Sequence, residues 1–263
     1  MSVLYTRDKD GNLKSVPFIS GGGGGGKYPD WSHLKWYVMG DSLTARNYAH
    51  TAKYYYEFIQ EKTGINIIVD GFGGTGYGAG KSNTPPNNFS TRVQNLFTEE
   101  NKHILDDVDV VTIFGSGNDV DYLLSEQYST ELSNIPVWDT LAQFANNKPG
   151  LRVIVVPPSP WTWRREGETQ EAIDLWKAKW DAYCEYLRKC AVACNFRYVS
   201  DMHDCPPFNP NFSGHMAKYF SPGLDGVHPN EEGHKALAPY FYNALLQELA
   251  LKSAGGDAGG DAG

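Results

Sequence analysis

The stretch Lys35-Trp36-Tyr37-Val38-Met39-Gly40-Asp41-Ser42-Leu43 joins a short apolar run directly to a glycine and two polar side chains. The run at 35–39 is the first of five short strands that the pattern predicts, the others lying at 65–69, 108–114, 151–156 and 196–200. Helical patterns cover about 43–63, 89–105, 136–147, 168–194 and 231–251. Alternating strands and helices imply a mainly parallel sheet covered on both faces. We therefore predict an α/β fold, a three-layer α/β/α sandwich with a flavodoxin-like five-stranded sheet.

Polar residues follow the ends of several predicted strands. Gly40, Asp41 and Ser42 follow the first strand, the segment 71–76 follows the second, and the segment 115–119 follows the third. Asp225 and His228 precede the last predicted helix. In open α/β sheets, functional residues collect at the carboxyl ends of the strands. We therefore expect these segments to meet on one rim of the sheet.

The segment Asp225-Gly226-Val227-His228 supplies a carboxylate and an imidazole within one loop. An Asp three residues before a His can accept the ring Nδ1–H, which leaves Nε2 free to take the proton of a serine such as Ser42. Taken singly, Ser42 could be a helix N-cap and Asp225 part of a turn. Their combination with Asn118 on one predicted rim favours a nucleophilic hydrolase over these separate interpretations.

Four blocks of this sequence resemble those of the SGNH or GDSL hydrolases, a family of serine esterases and lipases, in the family's order and near its usual spacing. The blocks are Gly40-Asp41-Ser42-Leu43, Gly71-Phe72-Gly73-Gly74-Thr75, Ser116-Gly117-Asn118-Asp119 and Asp225-Gly226-Val227-His228. The third block departs from the family's Gly-x-Asn-Asp, because Ser116 stands where glycine is usual. The Gly-x-Ser-x-Gly pentapeptide of α/β-hydrolases does not occur in the chain.

The resemblance implies a role for each matching residue in a carboxylic ester hydrolase. Ser42 would be the nucleophile, His228 the general base and then the general acid, and Asp225 the residue that orients the imidazole. The oxyanion hole would combine the backbone N–H groups of Ser42 and Gly74 with the side-chain amide of Asn118. Ser42 would also lie at the start of the first helix, whose positive end favours an oxyanion. The reaction needs no metal and no organic cofactor.

Aromatic and basic residues after the fourth predicted strand suggest a wall that binds substrate. Trp161 and Trp163 offer faces that suit sugar rings or acyl chains, and Arg164 suits a carboxylate or phosphate. Asp41 is a further candidate for substrate binding. The alternative is a surface loop anchored by its tryptophans. We expect a small-molecule or carbohydrate ester as substrate, with short acyl groups, acetyl above all; a lipase or lysophospholipase is the alternative enzyme.

Several other patterns predict no separate site. The segment 71–76 matches G-x-G-x-x-G, but the glycines and prolines after it do not open the helix that a dinucleotide needs. Gly80-Lys81-Ser82 lacks the P-loop glycine, since Thr75 stands in its place. We expect buried free thiols rather than zinc ligands at Cys184, Cys190, Cys194 and Cys205. The group formed by His203, Asp204, Cys205 and His215 is more simply a long loop than a cation site.

Composition and net charge limit the kinds of partner that the chain can bind and indicate its domain organisation. The 263 residues carry a formal net charge of −8, which argues against nucleic acid or an anionic membrane surface. No apolar run approaches the roughly 20 residues of a membrane span. We predict a flexible glycine-rich N-terminal arm at 1–30, a catalytic domain at 31–252 and a disordered Gly/Ala/Asp tail at 253–263.

The N-terminal residues lack the basic and apolar regions of a signal peptide. We therefore expect a cytoplasmic protein, or one that leaves by another route such as assembly into a particle. The arm is loosely similar to phage tail-associated proteins, which implies attachment to a larger assembly through residues 1–30. A carbohydrate-binding structural module that retains the fold is the alternative from a different functional class.

Overall fold

The structure is a computed structural model that describes residues 4–7, 13–16, 28–46, 51–80, 86–124, 131–160, 169–208, 214–220 and 227–255. Its strands are β1 (Leu4–Arg7), β2 (Leu13–Val16), β3 (Lys35–Gly40), β4 (Asn66–Gly71), β5 (Val110–Phe114), β6 (Arg152–Val156) and β7 (Arg197–Tyr198). Its α-helices are α1 (Tyr55–Thr63), α2 (Phe89–Leu96), α3 (Gly117–Leu124), α4 (Val137–Asn147), α5 (Gln170–Ala193), α6 (His215–Tyr219) and α7 (Glu231–Gly255). Short 3₁₀ turns cover Lys102–Leu105, Leu132–Asn134, Ser200–Met202 and Pro206–Phe208.

Five strands form one parallel sheet in the order β4-β3-β5-β6-β7. The chain runs outward from β3 to the edge strand β4 and then crosses to the other side of β3, which is the flavodoxin-like strand order. Gly40 at the end of β3 is level with Gly71 of β4 and with Phe114 of β5. The loops that follow these three strands therefore begin side by side, at the topological switch point where such sheets bind ligands.

Side chains of β3 alternate between two apolar layers. Trp36 and Val38 pack on the face covered by α1 and α7. Tyr37 and Met39 pack on the opposite face with residues of α2, α4 and α5. All four side chains are buried, as expected of a central parallel strand that reads as a continuous apolar run. This arrangement confirms the predicted three-layer α/β/α sandwich.

The predicted first helix is wrong in its first half. Residues 41–44 form a turn after β3, and α1 begins only at Tyr55. At the start of α1, the Glu57 carboxylate accepts the Tyr54 N–H at 2.9 Å and so satisfies a backbone donor at the helix N-terminus. The predicted helix at 89–105 is also interrupted, since α2 ends at Leu96. The helices α3 and α6 were not predicted.

The two ends of the chain contain more regular structure than composition suggests. Strands β1 and β2 lie inside the predicted arm and pair antiparallel. Helix α7 continues past residue 252 to Gly255. The glycine run at 21–26 and residues 256–263 lie outside the described residues. Of the helices that the structure describes, none has the length and apolar character needed to cross a membrane.

Candidate active site

Ser42 lies in a tight turn directly after β3. The turn is closed by the N–H of Thr44, which donates to the carbonyl of Asp41 at 3.1 Å. The Asp41 carboxylate accepts the N–H of Leu43 at 2.9 Å and, across the rim, the N–H of Ser116 at 3.0 Å. Asp41 therefore ties the serine turn to the loop that follows β5.

The Asp41 side chain is buried, and burial raises its pKa to about 7 although the two N–H donors oppose that rise. A Cβ at Gly115, which has φ +107°, would lie 2.2 Å from Asp41 Oδ2, so the close approach of the carboxylate requires glycine there. Both carboxylate oxygens are engaged by the protein. The geometry thus favours a positioning role for Asp41, while direct substrate binding by Asp41 stays a prediction.

Ser42 does not lie at the start of α1, so the expected contribution from the positive end of that helix is wrong. The helix that begins beside the serine turn is α3. It starts at Gly117, immediately before Asn118, and the Asp41–Ser116 hydrogen bond connects it to the turn.

The loop after β4 carries Gly74 on the exposed surface of the rim. The loop begins with Phe72, whose N–H donates to the Gly40 carbonyl at 3.1 Å. The Thr75 hydroxyl then donates back to the Phe72 carbonyl at 2.7 Å. Gly74 has φ +71°, and a Cβ added to it would meet nothing within 4 Å. Glycine is therefore selected at this position by backbone conformation and not by space.

Asn118 lies at the start of α3 and faces the same loop. Its Nδ2 donates to the Thr75 carbonyl at 2.9 Å. An amide nitrogen carries two hydrogens, so this bond leaves one for a ligand. The loops after β3, β4 and β5 thus bring Ser42, Gly74 and Asn118 to the same rim.

Asp119 is buried beneath the loop after β4. Its carboxylate accepts the N–H groups of Tyr77, Gly78 and Ala79 at 2.7, 3.0 and 2.7 Å. The hydroxyl of Tyr183 on α5 donates to the same carboxylate at 2.6 Å. Four donors therefore hold one carboxylate in the interior, as a buried charge requires.

Ser116 explains why glycine is usual at its position in the third block. It has φ +71°, in the left-handed region that glycine favours. The side chain is buried and its hydroxyl donates to the carbonyl of Gly115. The loop is nevertheless ordered by the Ser116 N–H, which donates to Asp41.

His228 is half-buried, and the two residues that follow it are anchored to the end of α6. Pro229 forms an antiparallel bridge with Phe220, and the N–H of Asn230 donates to the Tyr219 carbonyl at 2.9 Å. The Asn230 side chain accepts the N–H of Gly233 at 2.9 Å and so caps the start of α7. His228 is thereby held between α6 and α7.

A chain of aromatic contacts connects the His228 segment to the serine turn. His234 in the first turn of α7 is buried, and burial, with a smaller electrostatic effect of nearby His228, lowers its pKa to about 3. The His234 ring lies 4.9 Å from that of Tyr54 and 6.2 Å from that of Tyr55. The Tyr55 hydroxyl is 3.0 Å from the Thr44 hydroxyl in the serine turn. The first turn of α7, which follows His228 in the chain, thus packs against residues that contact the serine turn.

Four of the predicted site residues lie outside the described residues. They are Asp225, Trp161, Trp163 and Arg164.

Sequence reasoning missed Arg92 of α2. Its guanidinium donates to the Gly40 carbonyl at 2.9 Å and to both the carbonyl and a carboxylate oxygen of Asp70 at 2.7 Å. It therefore joins the carboxyl ends of β3 and β4. The one signal in the sequence was Asp70 itself, an acidic residue at the end of an apolar strand.

Three further sequence patterns fall largely within the described residues. Both ring nitrogens of His203 bond to carboxylates, Asp181 at 3.0 Å and Asp204 at 3.1 Å. Within the described ranges, no group of three His, Cys, Asp or Glu side chains could hold a metal ion. The four cysteines are free thiols, three of them buried. The described part of the glycine-rich loop after β4, up to Gly80, contains no helix, and α2 begins at Phe89.

Comparison with known structures supports the same fold. A putative GDSL-like lipase from Parabacteroides merdae is 17% identical with a TM-score of 0.58, covering 83% of this chain and 98% of that chain. A catalytic mutant of Axe2, an acetylxylan esterase from Geobacillus stearothermophilus, is 21% identical with a TM-score of 0.53, covering 85% and 96%. A protein from Lactobacillus plantarum is 17% identical with a TM-score of 0.57, covering 82% and 97%. A search of curated proteins found no match.

The sequence itself decides the family. The model of the GDSL-like lipase/acylhydrolase family matches residues 38–236, which is more than half of the chain and contains all four blocks. The chain therefore belongs to the GDSL-like lipase/acylhydrolase family and is a carboxylic ester hydrolase.

Proposed function

We propose that this protein is a serine esterase that removes short acyl groups, acetyl above all, from a carbohydrate. The observation that carries the proposal is that the strands preceding Ser42, Gly74 and Asn118 end level with one another, so that these residues follow adjacent strand ends. Ser42 is the nucleophile, and His228 and Asp225 complete the triad. The N–H groups of Ser42 and Gly74 and the free amide hydrogen of Asn118 form the oxyanion hole.

In this mechanism Ser42 Oγ attacks the ester carbonyl carbon while its proton passes to His228. The carbonyl oxygen becomes an oxyanion that accepts hydrogen bonds from the three N–H donors. The imidazolium, stabilised by Asp225, gives its proton to the leaving alkoxide, and an acyl-serine remains. Water, deprotonated by His228, attacks the acyl carbon, and Ser42 takes the proton back when the carboxylic acid leaves.

The carbohydrate part of the proposal rests on a structural neighbour and on an exposed aromatic side chain. The acetylxylan esterase neighbour is similar in fold at 21% identity. Phe72, two residues before Gly74, has 46% of its surface exposed and offers an aromatic face beside the proposed oxyanion hole. Aromatic faces suit sugar rings as well as acyl chains, so a lipase-type esterase remains the alternative enzyme. Attachment to a larger assembly through residues 1–30 stays a prediction.

The first test is hydrolysis of p-nitrophenyl acetate, butyrate and decanoate by the wild type and by Ser42→Ala. Ser133→Ala is the matched control, because Ser133 is an exposed serine on a 3₁₀ turn that bonds only a neighbouring exposed carboxylate in the described contacts. We expect the wild type and the control to prefer acetate, and Ser42→Ala to lose most of the activity with its circular dichroism spectrum unchanged.

Each other result has a defined meaning. A preference for decanoate would move the assignment to a lipid esterase. Equal activity in Ser42→Ala would refute the assigned nucleophile. No Ser42-dependent turnover on these esters or on acetylated xylo-oligosaccharides would favour the carbohydrate-binding module.

A further inference from the structure

We propose that Tyr183 and Asp119 form a buried pair that holds the donors of the oxyanion hole in position. The pair does so by fixing the loop of residues 72–80, here called the oxyanion loop. The inference deepens the proposed function and rests on it. Tyr183 lies on α5, outside all four sequence blocks.

Asp119 fixes the second half of the oxyanion loop. Three successive N–H groups, those of Tyr77, Gly78 and Ala79, donate to its two oxygens at 2.7 to 3.0 Å. A Cβ at Gly76 would lie 2.5 Å from the carboxylate, so the loop wraps the carboxylate as closely as its backbone allows. Hydrogen bonds of backbone N–H groups to a charged carboxylate are about twice as strong as neutral ones.

Tyr183 holds the carboxylate from the other side. Its hydroxyl donates to Asp119 Oδ2 at 2.6 Å, and both side chains are fully buried. Burial and the charge of Asp119 raise the pKa of Tyr183 well above its usual value, so the phenol keeps its proton and acts as a donor. Burial also raises the pKa of Asp119, while the Tyr183 hydroxyl and the loop N–H groups act against that rise. The tyrosine therefore helps to keep Asp119 in the charged form that can accept all four bonds.

Gly74 lies between two fixed points of the oxyanion loop. On one side, the N–H of Phe72 is bonded to the Gly40 carbonyl. On the other side, the Thr75 carbonyl accepts the amide of Asn118, the residue directly before Asp119. A shift of Asp119 therefore moves the Gly74 N–H and the Asn118 amide together. Neither Tyr183 nor Asp119 is exposed, so each acts through these donors and not by contact with substrate.

The test is Tyr183→Phe, which removes one hydroxyl and keeps the buried ring. Oxyanion-hole donors act most strongly in the transition state, so we expect kcat on p-nitrophenyl acetate to fall roughly 10-fold with KM changed less than about 2-fold. Activity is expressed per reactive serine, counted from the p-nitrophenol released when diethyl p-nitrophenyl phosphate reacts to completion. This count separates misaligned sites from unfolded protein. Asp119→Asn should show a larger loss of kcat in the same assay, because an amide NH₂ replaces one acceptor oxygen.

Tyr198→Phe is the matched control. The Tyr198 hydroxyl donates to the Cys184 carbonyl at 3.0 Å, so this variant also removes a tyrosine hydrogen bond to α5, one residue from Tyr183. We expect its kcat per reactive serine to equal that of the wild type.

Three outcomes would overturn the inference. One is a Tyr183→Phe variant whose kcat per reactive serine stays within 2-fold of wild type; another is a Tyr198→Phe control that loses as much. In both cases the esterase assignment would stand, because the wild type turns over. A wild type without Ser42-dependent turnover would remove the proposed function and this inference together.

Discussion

Replacing Arg92 should destabilise the protein far more than replacing an arginine in a comparable exposed ion pair. Arg92 and its partner Asp70 have only 7% and 13% of their side-chain surfaces exposed, with 2.7 Å between Nη1 and Oδ1. The guanidinium also donates to the Gly40 carbonyl. The guanidinium carbon Cζ of Arg92 lies 5.1 Å from the ring centroid of Phe72 and 5.0 Å from that of Phe89. The cation is therefore paired, hydrogen-bonded and covered by aromatic rings.

Arg92→Met keeps most of the apolar stem and removes the charge and all three hydrogen bonds. Asp70 keeps the Tyr37 hydroxyl at 2.8 Å but loses its cation, and the Gly40 carbonyl loses its guanidinium donor. Removing one partner of a buried pair leaves an uncompensated charge and typically costs about 3–5 kcal/mol. We expect a loss of this size in the free energy of unfolding, measured in urea with unchanged m-values.

Arg188→Met is the control. Arg188 pairs with Glu185 through two hydrogen bonds of 2.7 Å, which is a bidentate geometry, but the two side chains are 45% and 46% exposed. Exposed pairs contribute about 0–1 kcal/mol, so this variant should lose less than about 1 kcal/mol. If Arg92→Met lowers the free energy of unfolding no more than Arg188→Met does, burial does not determine how much the Arg92–Asp70 pair stabilises the protein. That result would refute the reasoning.

Three further predictions concern the loops of the site and the pH dependence of stability. Ser116→Gly should be about 1 kcal/mol more stable to urea than Ser116→Ala, because both lack the hydroxyl and only alanine keeps a Cβ at φ +71°; equal stabilities would contradict strain there. Gly76→Ala should lower kcat on p-nitrophenyl acetate at least about 10-fold at similar KM, since its Cβ would lie 2.5 Å from the Asp119 carboxylate. If the variant kept the wild-type kcat, the loop could move to accept the methyl group without affecting catalysis. Burial raises the pKa of Asp41 to about 7 from 3.8, so its native state holds a proton that the unfolded chain releases, and wild-type stability from this group falls as pH rises across that window. Burial lowers the pKa of His234 from 6.5 to about 3, so the stability contributed by this group rises as pH rises across that window. Relative to wild type in urea titrations, Asp41→Asn should therefore gain stability and His234→Gln lose it as pH rises from about 4 to about 6.5; pH-independent differences would contradict both.

The strands and the rim could be predicted because their signals are local. The run at 35–39 is apolar throughout, as a strand covered on both faces must be. The start of α1 could not be placed as well, because Ser42 and the residues after it also fit a helical pattern until the Asp41 side chain engages Ser116, 75 residues away in sequence. A pattern of apolar positions contains no information on such a partner.

The supporting residues of the site were missed for the same reason. The aromatic content of α5 indicates that Tyr183 is buried, but the partner of its hydroxyl is 64 residues away in sequence. Arg92 reads as an ordinary polar residue of an amphipathic helix, and only the packed structure shows that it crosses to Gly40, 52 residues earlier. Tyr183 and Arg92 lie on elements outside the four blocks, and only tertiary contacts bring them to the loops of the site.

The two interior carboxylates, Asp41 and Asp119, support the proposed activity at a cost in folding stability. Burial raises the pKa of each, which means that keeping them ionised at neutral pH opposes folding. Both nevertheless hold in place the loops that carry the proposed nucleophile and the proposed oxyanion-hole donors. Replacing either acid with an amide would remove that cost but would leave at least one buried N–H donor without an acceptor oxygen. Selection for turnover would therefore retain both acids together with the folding cost of burying their charges.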